Sequence, residues 1–409
     1  MMRNLRVDAN RIQSDLEALA AITDPGRPWT RRAFSPRFDE GRGWLARRFA
    51  EAGLTVSHDA GGNLIGRRAG SAGGLGTILL GSHSDTVPDG GRFDGVAGVV
   101  VALEVARTLA ERGHELRHDL GIVDFLAEEV SVFGVSCIGS RAMAGVLPAD
   151  WMGLTHEGRT LETAMRDVGG APEDIAARDD IRAFLELHIE QGPVLEDSGC
   201  DLGIVTAIAG ITRVEIVLTG RPDHAGTTPM TGRGDALVAA AGLVSAIEAE
   251  ARDRAAQGSH FTATVGEFSM EPNAANVVPG RVRMLIDARA ADRAQMLGFL
   301  DWIDARCAAL PEAIAVEVRR LSDNQPTPMD GALIDRLDAA ADRCGARHRR
   351  MVSGAGHDAA FMARIAPAAM VFVPCLGGRS HCPEEWAETA DIALGAEVLA
   401  ETVIALDQG

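Results

Sequence analysis

The stretch from Gly81 to Gly98, Gly-Ser-His-Ser-Asp-Thr-Val-Pro-Asp-Gly-Gly-Arg-Phe-Asp-Gly-Val-Ala-Gly, constrains the fold more than any other. It sets one imidazole and three carboxylates, His83, Asp85, Asp89 and Asp94, in a glycine-rich loop between two apolar segments. Thr77-Ile-Leu-Leu80 before it reads as a short buried strand, and the Ala/Val-rich segment Val96 to Ala110 after it reads as a helix. A loop leaving the carboxyl end of a buried strand is where open α/β sheets hold their ligands. His-x-Asp followed by a further Asp is a metal-binding start, incomplete by itself. Asp89, in Pro88-Asp-Gly-Gly, reads as a turn residue.

The rest of the chain supplies similar strand ends. Glu128-Glu129 follow the apolar run Leu120-Gly-Ile-Val-Asp-Phe-Leu126. His188 lies within Ala183-Phe-Leu-Glu-Leu-His-Ile-Glu, which also reads as a strand, and Ser380-His381 follow the strand Ala368–Val373. Nitrogen and carboxylate ligands converging at one sheet edge suit zinc, or manganese and its first-row neighbours. Taken singly, His83 and His381 read equally well as buried core residues, and Glu128-Glu129 more often as a solvated loop pair; their common placement at strand ends favours a site.

At 409 residues the chain is long enough for two domains. Helices are expected from Asn10 to Ile22 and Gly43 to Ala52, with an Arg-rich loop between them through Arg37. From Gly210 the texture changes to period-two alternation at Ile211–Leu218, Phe261–Phe268, Arg281–Ala288 and Ile314–Leu321, with helices at Gly234–Ala251 and Arg293–Leu310. After Pro326-Thr-Pro328 buried texture returns, with helices Leu333–Arg343, His357–Ile365 and Thr389–Ile404 around the strand at 368–373. The expected architecture is α/β. A catalytic domain (1–210 and 326–409), with a mixed, largely parallel sheet flanked by helices, is interrupted by an α+β lid (211–325) of four strands and two helices.

Forty basic against 58 acidic residues leave a net charge of −18, which argues against nucleic-acid or anionic-membrane partners. Six cysteines without a C-x-x-C pair suggest reduced thiols. The start, Met1-Met2-Arg3-Asn4-Leu5-Arg6, lacks the apolar core of a signal peptide, and the run Gly95–Leu103 stops at Glu104, short of a membrane span. The expected location is cytoplasmic.

From Asn10 to its end the chain resembles the two-metal aminoacylase/carboxypeptidase-type (M20-like) amidohydrolases, through Gly81-Ser-His-Ser-Asp, Phe93-Asp-Gly, Glu128-Glu129 and Ser380-His381. Within them it is similar to the N-carbamoyl-L-amino-acid hydrolases and their allantoate amidohydrolase and β-ureidopropionase relatives. The motifs that carry this are His188-Ile-Glu-Gln-Gly-Pro-Val-Leu-Glu, His224-Ala-Gly-Thr-Thr-Pro-Met and Asn276-Val-Val-Pro-Gly. The resemblance implies two divalent ions (zinc or manganese, with cobalt or nickel as alternatives). His83 and His188 would hold one, Glu129 and His381 the other, and Asp94 would bridge them. Asp85 would accept the second N–H of His83, and Glu128 would be the general base. His224 would bind the oxyanion across a dimer interface. Asn276 and Arg289 would hold the substrate carboxylate, and Gln191 and His357 would line the pocket.

The implied reaction is hydrolysis of the ureido C–N bond of an N-carbamoyl-L-amino acid to amino acid, ammonia and carbon dioxide, by a homodimer paired through the lid. Allantoate or 3-ureidopropionate are alternative substrates, and a peptidase or deacylase ranks below them. A non-catalytic metal- or ligand-binding relative would require a lost ligand or base, and none is missing. Three features depart from the family pattern: Val132 where an Arg is common, Cys382 beside His381, and the absence of tyrosine.

Overall fold

The computed structural model describes residues 5–409; Met1 to Asn4, where the absence of an apolar leader was read, lie outside the described residues. Among the described residues no helix is long and apolar enough to cross a membrane. The chain divides into two units. The first comprises residues up to Thr206, Pro328–Met351 and Gly356–Gly409; the second comprises Ala207–Thr327 and Val352–Ala355. The junctions thus fall a few residues from the expected 210/211 and 325/326, and the short segment Val352–Ala355 was not anticipated.

The first unit is built on a mixed sheet, nine-stranded among the described residues. Asp119–Phe125, Thr77–His83, Ile181–Ile189 and Ala368–Val373 lie side by side in that order and run parallel. Their carboxyl ends therefore share one edge, which is what brings distant parts of the sequence together. The strand Thr77–His83 is buried along its whole length, as a strand covered on both faces must be. Antiparallel strands flank this core, Leu64–Arg68 and Thr55–His58 on one side and Leu202–Ile208 on the other.

The helix Val96–Glu111 starts immediately after Asp94-Gly95 and is buried from Val96 to Leu109. Its charged residues Glu104 and Arg107 do not face solvent. Glu104 is fully buried against Arg11 (Oε2 to Nε 2.6 Å), and Arg107 donates to Asp15 at 2.6 Å. Their partners, Arg11 and Asp15, both lie on the helix Ala9–Ala21, so charge pairing lets two helices pack through polar groups.

Two expected helices are corrected. The one placed at Gly43–Ala52 begins at Pro36 and runs to Glu51, because Ser35 accepts the Phe38 N–H and Pro36 fills the first turn. The one placed at His357–Ile365 is helical only over Ala359–Met362, which leaves His357 outside it. The strands Leu202–Ile208 and His348–Ser353 were not read from sequence.

The second unit carries an antiparallel sheet in the order Phe261–Glu271, Arg281–Ala290, Gly210–Thr219, Ala315–Asp323. Val214, Ile216, Leu218, Val282, Met284 and Ile286 turn one face toward Leu243, Ile247, Phe299 and Ile303 of the helices Ala236–Ala255 and Arg293–Ala308. Alternate positions carry ion pairs such as Arg283–Glu215 (2.6 Å). The alternation in sequence is this division between core and outer face.

Beneath the carboxyl-end edge, Arg42 Nε lies 3.2 Å from Asp124 Oδ2, and both residues are buried. Burial raises the Asp124 carboxyl above its ordinary range, and Arg42 offsets part of that rise. Removing one member leaves the other charge in a dry interior, which costs about 3–5 kcal/mol. Arg42→Ala is therefore expected to destabilise the fold by about that amount in denaturant unfolding, whereas truncating the exposed Arg27, paired with Asp89, should leave the unfolding midpoint nearly unchanged.

Candidate metal centre

His83 ends its strand opposite Phe125, and His188 sits opposite Phe372. Each ring spends Nδ1 on a main-chain carbonyl, His83 on Asp85 O at 3.0 Å and His188 on Ile189 O at 2.9 Å. A carbonyl only accepts, so both Nδ1 atoms carry hydrogen and both Nε2 atoms point to the interior of the site, where a neutral ring offers a lone pair; His188 Nε2 there also meets the Gly95 N–H at 3.2 Å. His188 Nε2 lies 3.2 Å from Asp94 Oδ1, and His83 Nε2 lies 3.6 Å from the same oxygen. The other oxygen, Asp94 Oδ2, lies 3.2 Å from His381 Nε2, which is itself 3.0 Å from Glu129 Oε1. One carboxylate thus faces two sets of donors, one through each oxygen. Gly95 is required at this point: its φ is 65°, and a Cβ there would lie 2.3 Å from the His83 ring.

Within the set His83, Asp94, His188, and again within Asp94, Glu129, His381, the donor atoms lie within 4.8 Å of one another. His83 Nε2 is buried and has no hydrogen-bond partner. A buried imidazole lone pair facing carboxylates is costly unless a cation stands between them, so the residues present fit a divalent ion. Glu186, His188 and His357 form a third such set. There Glu186 is already engaged by Ser82 Oγ (2.7 Å) and Ala359 N (3.3 Å), and His188 Nδ1 by its carbonyl. Cys382 belongs to none of these sets.

The electrostatics are those of closely packed acids and imidazoles. Burial pushes the Asp94 carboxyl up, but His188, His381 and His83 outweigh it and hold the group well below the ordinary range. Asp94 and Glu129 push the His381 imidazole up to about 11. Burial holds the Glu128 carboxyl well above its usual range, against the opposing pull of His83 and with the help of Glu129. Burial, then the proximity of His188, holds His357 well below the ordinary imidazole value.

Other expected residues fall as follows. The Asp85 carboxylate is not the nearest acceptor for His83: its Oδ1 is 3.5 Å from Nδ1, behind the residue's own carbonyl. It also accepts the main-chain N–H groups of Glu128 and Glu129, both at 3.2 Å, and so holds the acidic pair in place. Gln191 donates to Asp94 Oδ2 at 2.7 Å. His357 packs edge-on against His188, with ring centroids 4.6 Å apart. Val132 packs into an apolar cluster around Phe133, Ile138 and Leu161.

His224, Asn276 and Arg289 belong to the second unit. His224 Nδ1 accepts from Gly226 N and Thr227 N (3.1 and 3.2 Å), so it caps its loop and carries its hydrogen on Nε2. The Asn276 carbonyl accepts the Ala225 N–H. Arg289 is partly engaged, with Nε on Asp287 Oδ1 and one amino group on Gly354 O, both at 2.8 Å.

Sequence reasoning missed Ser380, Glu385 and Cys137 as participants. Ser380 Oγ lies 2.8 Å from both Asp94 Oδ2 and Glu385 Oε2. Cys137 Sγ is 3.5 Å from Glu128 Oε1. Ser380 and Glu385 stand in the same motif as His381, but nothing in their spacing separates Glu385 from Glu384. Ala127, Cys137, Gln191 and His381 all have φ between 51° and 57°. Such backbones cost on the order of 1–3 kcal/mol each and cluster where side chains must be aimed.

Residues 79–405 match the model of Peptidase family M20/M25/M40. An N-carbamoyl-L-amino-acid amidohydrolase of Paenarthrobacter aurescens is 37% identical over 411 residues, spanning 98% of this chain and 99% of that protein. An allantoate amidohydrolase of Escherichia coli K12 is 35% identical over 386 residues, 92% of each chain. The crystal structure of a hydantoinase/carbamoylase family amidase from Burkholderia multivorans superposes with a TM-score of 0.91 at 35% identity, covering 99% of both chains.

With the His381 imidazole pushed up to about 11 by Asp94 and Glu129, a cation entering this set would have to displace a proton. Metal affinity should therefore rise with pH through the neutral range, with protons released on binding. Calorimetric titration of metal-free protein in buffers of different ionisation enthalpy measures that release.

Proposed function

We propose that this chain, which belongs to Peptidase family M20/M25/M40, hydrolyses the ureido C–N bond of an N-carbamoyl-L-amino acid. One water is consumed, and the products are the amino acid, ammonia and carbon dioxide. The observation that carries the reading is the double donor set around Asp94 with Glu128 beside it, in a chain alike over nearly its full length to an N-carbamoyl-L-amino-acid amidohydrolase.

His83 and His188 would hold one divalent ion and Glu129 and His381 the other, with Asp94 between them; zinc and manganese match these donors best, with cobalt or nickel as alternatives. Such ions supply Lewis acidity and a more acidic water. Glu128, whose Oε2 is 3.6 Å from His83 Nε2, takes the proton of the attacking water. Cations beside it would take part of its basicity, but Glu129 would ligate in its place and leave Glu128 free to accept that proton and later return it to the leaving nitrogen. Asp85 keeps Glu128 and Glu129 in register through their N–H groups.

In this reading the second unit is a lid through which two copies pair, and His224 donates its Nε2 hydrogen to the oxyanion. Asn276 and the remaining amino group of Arg289 hold the carboxylate, and Gln191 and His357 shape the pocket. Six free cysteines support a reducing, cytoplasmic setting. Allantoate is the second reading, favoured by the likeness to the Escherichia coli allantoate amidohydrolase.

The test is ammonia release from N-carbamoyl-L-amino acids, allantoate, 3-ureidopropionate and N-acetyl amino acids as a control. The carbamoyl compounds should be preferred, and Glu128→Gln should lose turnover at least about 100-fold while keeping its metal. Preference for allantoate would transfer the assignment to the second reading, and release of acetate from the acetyl compounds in preference to both would overturn it.

A further inference from the structure

Glu385 is buried, belongs to no metal-compatible set, and yet touches both halves of the centre. Its Oε1 accepts the N–H groups of Phe93 (2.8 Å) and Asp94 (3.1 Å), which fixes the main chain that carries the shared carboxylate. Its Oε2 meets Ser380 Oγ at 2.8 Å, and the same hydroxyl reaches Asp94 Oδ2 at 2.8 Å. A circuit of contacts therefore runs from the Asp94 backbone through Glu385 and Ser380 to the Asp94 side chain, in which the single Ser380 hydrogen goes to one carboxylate oxygen at a time. Gly91 makes room for it: a Cβ there would lie 1.9 Å from the Glu385 carboxylate.

The two donor sets do not depend on this circuit equally. His83 and His188 stand on or inside buried parallel strands, and each ring is oriented by a carbonyl within two residues. His381 stands on a loop, with a side chain 49% exposed and a φ of 55° that a non-glycine residue adopts only when its surroundings impose it. The residue before it, Ser380, is tied to Glu385 and Asp94.

We propose that Glu385 is a positioning residue that presets the Glu129/His381 half of the centre, by tying the His381 loop to the backbone of Asp94. This rests on the two-metal reading above. The first ion then finds a site made by strands, and the second finds one made by this loop contact. A neutral amide serves as well as the carboxylate: a glutamine oxygen accepts the Phe93 and Asp94 N–H groups, and its NH2 donates to Ser380, whose hydroxyl then points to Asp94.

The experiment is titration of the metal-free full chain with Zn²⁺ against a fluorescent chelator, which resolves the two binding steps, with Glu129→Gln marking the step that belongs to the second half. Glu385→Ala should weaken that step roughly 10- to 100-fold and leave the first within about threefold. Gly91→Ala, which displaces Glu385 without altering it, should do the same, and Glu385→Gln should restore the second step to within about threefold of the parent. Thermal unfolding of each metal-free variant separates loss of the site from loss of the fold, and Gly91→Ala carries the test should Glu385→Ala not fold. The proposal is overturned by two parent-like steps in Glu385→Ala or Gly91→Ala, by equal weakening of both steps, or by a glutamine variant no better than alanine. A parent chain that binds fewer than two ions would instead overturn the two-metal reading itself.

Discussion

The carboxylate of Asp94 is buried among three imidazoles, and the surrounding structure is arranged to make that arrangement tolerable. An isolated carboxylate in such a place would carry a large desolvation cost. Here each oxygen has nitrogen partners, Oδ1 toward His188 and His83, Oδ2 toward His381 and Gln191. The four parallel strands exist in the order that delivers these partners to one edge. The glycine after Asp94 lets the next helix begin without striking His83.

Around that carboxylate the donor groups are held by two different means. The histidines on strands gain their orientation from the ladder and from a carbonyl on Nδ1, so their aim is inherited from the core. Glu128, Glu129 and His381 stand beyond strand ends, where the ladder no longer acts. Asp85 fixes the first two by accepting their N–H groups, and Ser380 with Glu385 fixes the loop of the third. Strained φ values at Ala127 and His381 mark where these contacts overrule local preference.

Much of this was legible from residue patterns. Continuous apolar runs at Leu120–Leu126 and Ala368–Val373 announced buried strands, and period-two alternation announced the second unit, because burial on one face or two leaves different traces. The residues that meet around Asp94 were found because imidazole and acid at a strand end are rare in core texture. What was hidden depends on tertiary context. The helix from Pro36 to Glu51 was cut short because the Ser-Pro start was read as loop. The burial of Glu104 and Arg107 was hidden because a sequence does not show that Arg11 and Asp15 lie opposite them. The hold of Asp85 on Glu128 and Glu129 was also hidden, since spacing does not show which main-chain N–H groups a carboxylate accepts.

The central claim is that Asp94 belongs to both halves of one centre, whereas Asp89, in the same loop, is an exposed turn residue paired with Arg27. Elemental analysis of purified Asp94→Asn and Asp89→Asn proteins beside the parent tests this directly. The account predicts two transition-metal ions per chain in the parent and in Asp89→Asn, and neither ion retained in Asp94→Asn. An Asp94→Asn protein that still holds two ions would contradict it.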